Sequence, residues 1–223
     1  MKQNHLIIII ISTALVLASC VFYISARSFS KQASYIEVKG LSEKIVKSDI
    51  AIWSINFQVK SNDIDSLYNE VEKNISEITK FLNDSGFEES EINVAPLNVY
   101  QDTYRDALYQ YNTSINMSVY TDKVDLVKES SEKTRVLVKK GIVMSGNYID
   151  FQFSDLNSIK PEMLAEATQN AEASAEEFAN NSGSSVGNIV RANQGVFSIE
   201  QKDPGSPEYK KVRIVSTLRY LLK

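Results

Sequence analysis

The chain is short of the side chains on which most site chemistry depends. Among 223 residues there is one histidine, His5, and one cysteine, Cys20, so everything after Cys20 has neither. His-based triads, Cys nucleophiles, zinc sites with His or Cys ligands and disulfide scaffolds are thereby excluded from that part. Glycine and proline are scarce as well, 8 and 4, which removes collagen-like and low-complexity architectures. Basic residues are outnumbered 24 to 28, and because residues 1–27 hold only Lys2 and Arg27, the rest carries 28 acidic against 22 basic side chains. No nucleic-acid footprint is expected from that balance, since it needs a basic face. Hydrophobic residues at 43% and charged residues at 23% are ordinary globular proportions, which rules out a disordered chain or a multi-span membrane protein. The length leaves room for one medium domain or two small ones.

What the chain does have is an unbroken apolar run at its start. Residues 6–26 carry no charge, and 21 residues in a helix span the roughly 30 Å hydrocarbon core of a bilayer. Three readings stay open. A retained membrane anchor is favoured by the length. A lipoprotein signal is suggested by Leu17-Ala18-Ser19-Cys20, which resembles a bacterial lipobox with Cys20 as the lipidated residue, although Val21, Phe22, Tyr23 and Ile24 keep the run apolar beyond it. A cleaved secretory signal is the third. Residues 1–27 are thus an anchor or signal segment, 28–34 a polar linker, and 35–223 the folded part.

In the folded part the hydrophobic period alternates between 2 and 3.6. A short strand is expected at 35–38, and Ala51, Trp53, Ile55, Phe57 and Val59 predict a half-buried strand. Ile64, Leu67, Val71, Ile75, Ile78 and Leu82 predict a helix ended by Gly86. Residues 92–100 read as extended around Pro96, residues 111–119 as a strand, and the tyrosine-rich stretch 101–110 between them as a hairpin tip. Asp122 is expected to cap a helix over 124–140, and Ile149, Phe151 and Phe153 predict a further strand. Pro161 suits the first turn of a third helix reaching Ser182, with Leu164, Ala167, Ala171, Ala175 and Phe178 as its inner face. Two long strands, 186–199 and 212–222, close the chain. The pattern predicts an α+β fold, antiparallel sheets with helices packed on one face.

Several groups invite a chemical reading. Tyr100, Tyr104, Tyr109 and Tyr111 form a candidate partner surface, because amphipathic rings give large contact area at low entropic cost, and ordinary cross-strand packing explains them equally well. Asp150, Asp155, Glu162 and Glu166 cluster in sequence, but nothing in their spacing demands paired acid and base, and Glu162 and Glu166 suit a solvated helix face. Gly183-Ser184-Ser185-Val186-Gly187 follows a helix and lacks the Lys-Ser/Thr pair of a P-loop, so it reads as a helix cap and turn. Trp53, on an alternating strand, reads as core. No metal site is expected.

Ordered motifs carry a resemblance. Val38-Lys39-Gly40, Ser48-Asp49-Ile50-Ala51-Ile52-Trp53, the stretch 156–168 around Lys160-Pro161-Glu162-Met163, then Ala171, Ala175, Phe178 and Ala179, Ser182-Gly183-Ser184, Gln194-Gly195-Val196-Phe197 and Val212-Arg213-Ile214 together resemble the SIMPL-domain family, in its bacterial envelope branch. The resemblance implies a periplasmic α+β domain in two intimately joined lobes, no established catalytic residue and no cofactor. It also implies homo-oligomeric assembly in some members. The expectation is a non-enzymatic envelope protein, anchored in the inner membrane through residues 6–26 with its domain in the periplasm, self-assembling and stress-protective. The alternative is a periplasmic binding module for a small molecule or peptide whose identity the sequence leaves open.

Overall fold

The computed structural model describes residues 34–104 and 108–223, together with Ser19. The anchor reading of residues 6–26 and Cys20 falls outside the described residues apart from Ser19, and no helix among the described residues is long and apolar enough to cross a membrane. In chain order the elements are β1 (Tyr35–Lys47), β2 (Ile50–Ser61), α1 (Ile64–Asp84), a 3-10 turn (Glu89–Glu91), β3 (Ile92–Val94), β4 (Val99–Gln101) and β5 (Tyr111–Thr121). They continue with α2 (Val124–Glu132), α3 (Arg135–Lys139), β6 (Val143–Gln152), α4 (Leu156–Asn181), β7 (Val186–Asn193), β8 (Ser198–Gln201) and β9 (Tyr209–Leu222). One sheet runs β1-β9-β7 with β8 also on β9, and a five-stranded sheet runs β3-β5-β2-β6 with β4 also on β5. The chain divides into two compact units, and the α+β class expected from the periodicity is what the elements form.

The larger unit, Ser42–Ala165 with Val196–Ile214, holds the five-stranded sheet. Alternation places Ala51, Trp53, Ile55, Phe57 and Val59 of β2 on one face, and the antiparallel register sets Trp53 opposite Val119, Ile55 opposite Met117 and Phe57 opposite Ile115. A slip of one residue would turn all of them to the other face, so burial fixes the register. Helix α1 covers this face with Leu67, Val71, Ile78 and Leu82, each buried side chain contributing roughly 1.5–3 kcal/mol. Asp63 caps it by accepting from Ser66 N at 2.8 Å, and Gly86 follows its end at φ 102°. Trp53 is core, as expected. Its indole makes a T-shaped contact with Phe81 and a tilted one with Phe87, and Nε1 donates to Asn147 Oδ1 at 2.7 Å.

Two expectations fail over residues 122–140. The helix expected over 124–140 is two helices, because hydroxyls bond back along the chain: Ser131 Oγ to Lys128 O and Thr134 Oγ1 to Ser131 O, both at 2.8 Å, compete with the backbone ladder at the break. Asp122 does not cap it through its side chain either. The N-cap is Lys123, whose amide is taken by Thr121 Oγ1 at 3.1 Å.

The smaller unit comprises, among the described residues, 34–41, 166–195 and 215–223. Ile36, Leu218 and Tyr220 pack on Ala171 and Ala175 of α4. The buried stripe of α4 is Met163, Ala167, Ala171, Ala175 and Ala179, a strict four-residue step. Leu164 is only half-buried and Phe178 is 64% exposed, which corrects both ends of the expected inner face. Close packing explains the choice. A Cβ built on Gly40 would overlap the carbonyl oxygen of Ala167 and the amide nitrogen of Ala171, so strand and helix backbones approach with no side chain between them. Helix α4 also starts five residues before Pro161, which costs one backbone donor at an exposed turn. The long strand expected over 186–199 is interrupted at Gly195, whose φ of 74° breaks the extended run into β7 and β8.

Candidate functional site

The structure places the four tyrosines in different settings. Tyr100 lies on β4 opposite Asn112, and Tyr111 begins β5 and packs, partly buried, against the core of the larger unit. Tyr104 is 83% exposed. Only Tyr100 and Tyr109 share a hollow, of about 470 Å³, with Gln58 and Lys60 of β2, Asp102, and Ser114 of β5 also lining it. Its side is held from below: Asn62 Oδ1 accepts from Gln110 N at 2.9 Å, Asn62 Nδ2 donates to Leu108 O at 3.4 Å, and Asp102 N donates to Gln110 O at 2.8 Å. Thr113 Oγ1 donates to Asn98 O at 2.7 Å, tying β5 to the segment before β4.

The sequence reading missed Gln58, Lys60 and Asn62. The signal was present in β2, where the polar members of the alternation mark the face away from the helices. That face continues as amides and hydroxyls: Asn116 Nδ2 donates to Asn56 Oδ1 at 2.6 Å, and Ser54 stands opposite Ser118. One cation, one anion, two phenols, two amides and two hydroxyls make the hollow suited to binding a neutral polar molecule.

The carboxylates are placed differently. Glu162 pairs with Lys44 at 2.6 Å, and Asp150 accepts from Gln152 Nε2 at 2.7 Å. Asp155 uses its backbone carbonyl, accepting from Ser158 Oγ at 2.8 Å. Among the described residues no three of His, Cys, Asp and Glu gather as metal ligands would. The segment after α4 is a cap, as expected: Gly183 has φ 69°, Ser184 N donates to Ala179 O at 2.9 Å and Ser185 N to Lys223 O at 2.9 Å. Those amides are committed within the chain, leaving no cradle for a phosphate.

The carboxyls held below their ordinary values lie elsewhere and serve the fold. Burial, the largest single influence, works to raise the Glu208 carboxyl, but the hydrogen bond from Lys128 at 2.5 Å, a backbone hydrogen bond and the Lys128 charge together outweigh it. Glu91 is likewise raised by burial and lowered further by the Glu88 amide, the Thr121 hydroxyl and Lys123. At Asp49 the hydroxyl and amide of Ser154, at 2.7 and 2.8 Å, win over burial.

A protein-family model described as SIMPL, a protein of unknown function (DUF541), matches residues 36–215. The chain belongs to the SIMPL family. No curated protein matches it. The match begins in β1 and ends in β9, so it takes in residues of both units. Its motif glycines now have physical reasons. Gly40 admits the backbone of α4, and Gly195, at φ 74°, lies where a Cβ would overlap the carbonyl oxygen of Val215.

Proposed function

We propose that this SIMPL protein works by self-assembly at the bacterial envelope, without chemistry of its own, tethered to the inner membrane by residues 6–26 and presenting its domain to the periplasm. The observation that carries the reading is strand β7. It is a terminal strand of its sheet among the described residues, and every residue from 188 to 193 is exposed, with Ile189 at 51% and Val190 at 56%. Adjacent apolar residues on a strand point to opposite faces, so β7 offers an open row of backbone groups with an apolar side chain on each side. Such an edge is a template for a strand from another copy. Tethering would confine all copies to one surface and raise their effective concentration, which lets a weak contact be populated. The stress-protective role rests on the resemblance alone. Light scattering on full-length protein in detergent, with crosslinking in intact membranes, tests assembly: oligomers support it, and strictly monomeric particles without crosslinked species overturn it.

The hollow beside Tyr100 and Tyr109 favours a second reading, a binding module for a small molecule, since about 470 Å³ lies within the range of ligand pockets. A ligand that binds only the native state raises the melting temperature by mass action, so thermal shift against a small-molecule panel tests it.

A further inference from the structure

We propose that the sheet face of the smaller unit that bears alternating charged residues holds a binding site for a small, soluble, phosphate-bearing anion, gripped by Lys39, Arg191 and Arg219. Strands β1, β9 and β7 lie side by side, and residues two apart on each share a face. Glu37 and Lys39, Arg191 and Asn193, and Thr217 and Arg219 thereby line one hollow of about 340 Å³. Ile36, Leu218 and Tyr220, of opposite parity on β1 and β9, pack against α4 instead.

Charge singles this hollow out. The chain beyond residue 27 has 28 acidic and 22 basic side chains, yet here three cations face one anion. The antiparallel register sets Arg191 directly opposite Arg219, and like charges so placed destabilise a sheet. Part of the conflict is resolved within the chain. Arg219 donates to Glu37 Oε2 from Nε at 3.0 Å and from Nη2 at 2.7 Å, and its guanidinium lies 4.4 Å from the centre of the Tyr35 ring. Glu37 is therefore spent on Arg219, which is locked in place. The side chains of Lys39 and Arg191 form no hydrogen bond or ion pair with any described residue. Two free cations beside a fixed guanidinium, with a like-charge pair at the centre, are what a multiply charged anion would relieve. Such local violations of sheet rules concentrate at functional positions.

The remaining donors fit the same ligand. Gly195 N donates to Asn193 Oδ1 at 3.3 Å, which turns the carbonyl oxygen to the chain and leaves the amide NH₂ for the hollow. The Thr217 hydroxyl adds another donor. Arginine forks match phosphate oxygens two at a time, and lysine adds a point charge. Six polar side chains around one hollow of about 340 Å³ suit a small molecule, and we therefore assign the site to a soluble ligand.

Inorganic pyrophosphate is the probe. Titration calorimetry on full-length protein in zwitterionic phosphatidylcholine nanodiscs should give one site per chain, weakening as salt rises. Lys39→Gln and Arg191→Gln should each weaken it roughly tenfold or more, the effect of losing one charge-assisted hydrogen bond. Glu37→Gln should tighten it by freeing Arg219, while Lys210→Gln, a cation elsewhere, should leave it unchanged. Unchanged melting temperatures of the variants without pyrophosphate exclude misfolding, and Arg191→Lys, which keeps the charge and loses the fork, should bind between wild type and Arg191→Gln. No saturable binding by wild type, equal loss in Lys210→Gln, or binding that occurs only when phosphatidylglycerol is placed in the nanodisc and not with pyrophosphate overturns the proposal.

Discussion

Gly40 lies directly against the backbone of Ala171, so close that a Cβ on the glycine would come within 2.5 Å of the Ala171 amide nitrogen. This contact explains why the inner face of α4 is alanine after alanine, and why the sheet of the smaller unit can bury so few large side chains and still pack. Enlarging either partner should therefore force the elements apart. Gly40→Ala and Ala171→Leu should each destabilise by roughly 1–3 kcal/mol through overpacking, while Glu172→Gln, on the exposed side, stays within about 0.5 kcal/mol. Urea midpoints of the three variants check this, and equal small shifts would show that the contact is not tight.

The helix and its stop before Gly183 were legible from Ala167, Ala171 and Ala175, but its start and the ends of its buried stripe were not. Phe178 belongs to the apolar set by residue type and lies outside the stripe by geometry, because a four-residue step ends on Ala179. Alternation and helical period found β2, α1 and β5, since their apolar residues face one side of a large core. They found only the start of β1, whose exposed positions carry Glu37, Lys39, Glu43 and Ile45 around few buried residues. Tyr100 and Tyr109 stand out in the sequence, whereas the cations of the smaller hollow do not. Lys39, Arg191 and Arg219 are far apart in sequence, and only strand order and register bring them together.

Acid sensitivity follows from the depressed carboxyls. Glu91 and Glu208 have folded pKa values below their ordinary 4.5, so their contribution is present at neutral pH and lost as pH falls below about that value through the folded pKa. Glu91→Gln and Glu208→Gln should each lower stability at pH 7 and flatten its decline below about pH 5. Denaturant melts at pH 7, 5 and 3 give the slopes, and a decline as steep as in the wild type would remove these groups from the account.

Asn62 holds the stretch carrying Leu108 and Gln110 through two hydrogen bonds. Asn62→Ala should raise hydrogen-exchange rates at residues 108–110 several-fold, with little change across β2. Any ligand found for the hollow of Tyr100 and Tyr109 should bind more weakly to this variant. Unaltered exchange at 108–110 would mean that the stretch is held by other contacts.

The apolar run continues past Cys20, and a spanning helix needs no lipid to stay in a bilayer. Full-length Cys20→Ala should therefore remain in the membrane fraction after carbonate washing. Its release, or acyl labelling of the wild type at Cys20, would replace the proposed anchor by a lipoprotein.

The last prediction assigns assembly to particular residues. Ile189 and Val190 are half-exposed neighbours on β7, so a charge on either costs the isolated fold little, within about 0.5 kcal/mol for surface positions. The same charge on an edge is a recognised block to pairing with another strand, because it would be desolvated between sheets. Ile189→Lys and Val190→Lys should therefore keep the wild-type melting temperature while losing most crosslinked species in membranes, and the double variant should be monomeric in detergent. A change at Tyr104, exposed on the other unit, should leave crosslinking intact and serves as the comparison. If Tyr104→Ser disperses the assemblies and the β7 variants do not, the tyrosine-rich segment is the contact and the edge of β7 is not.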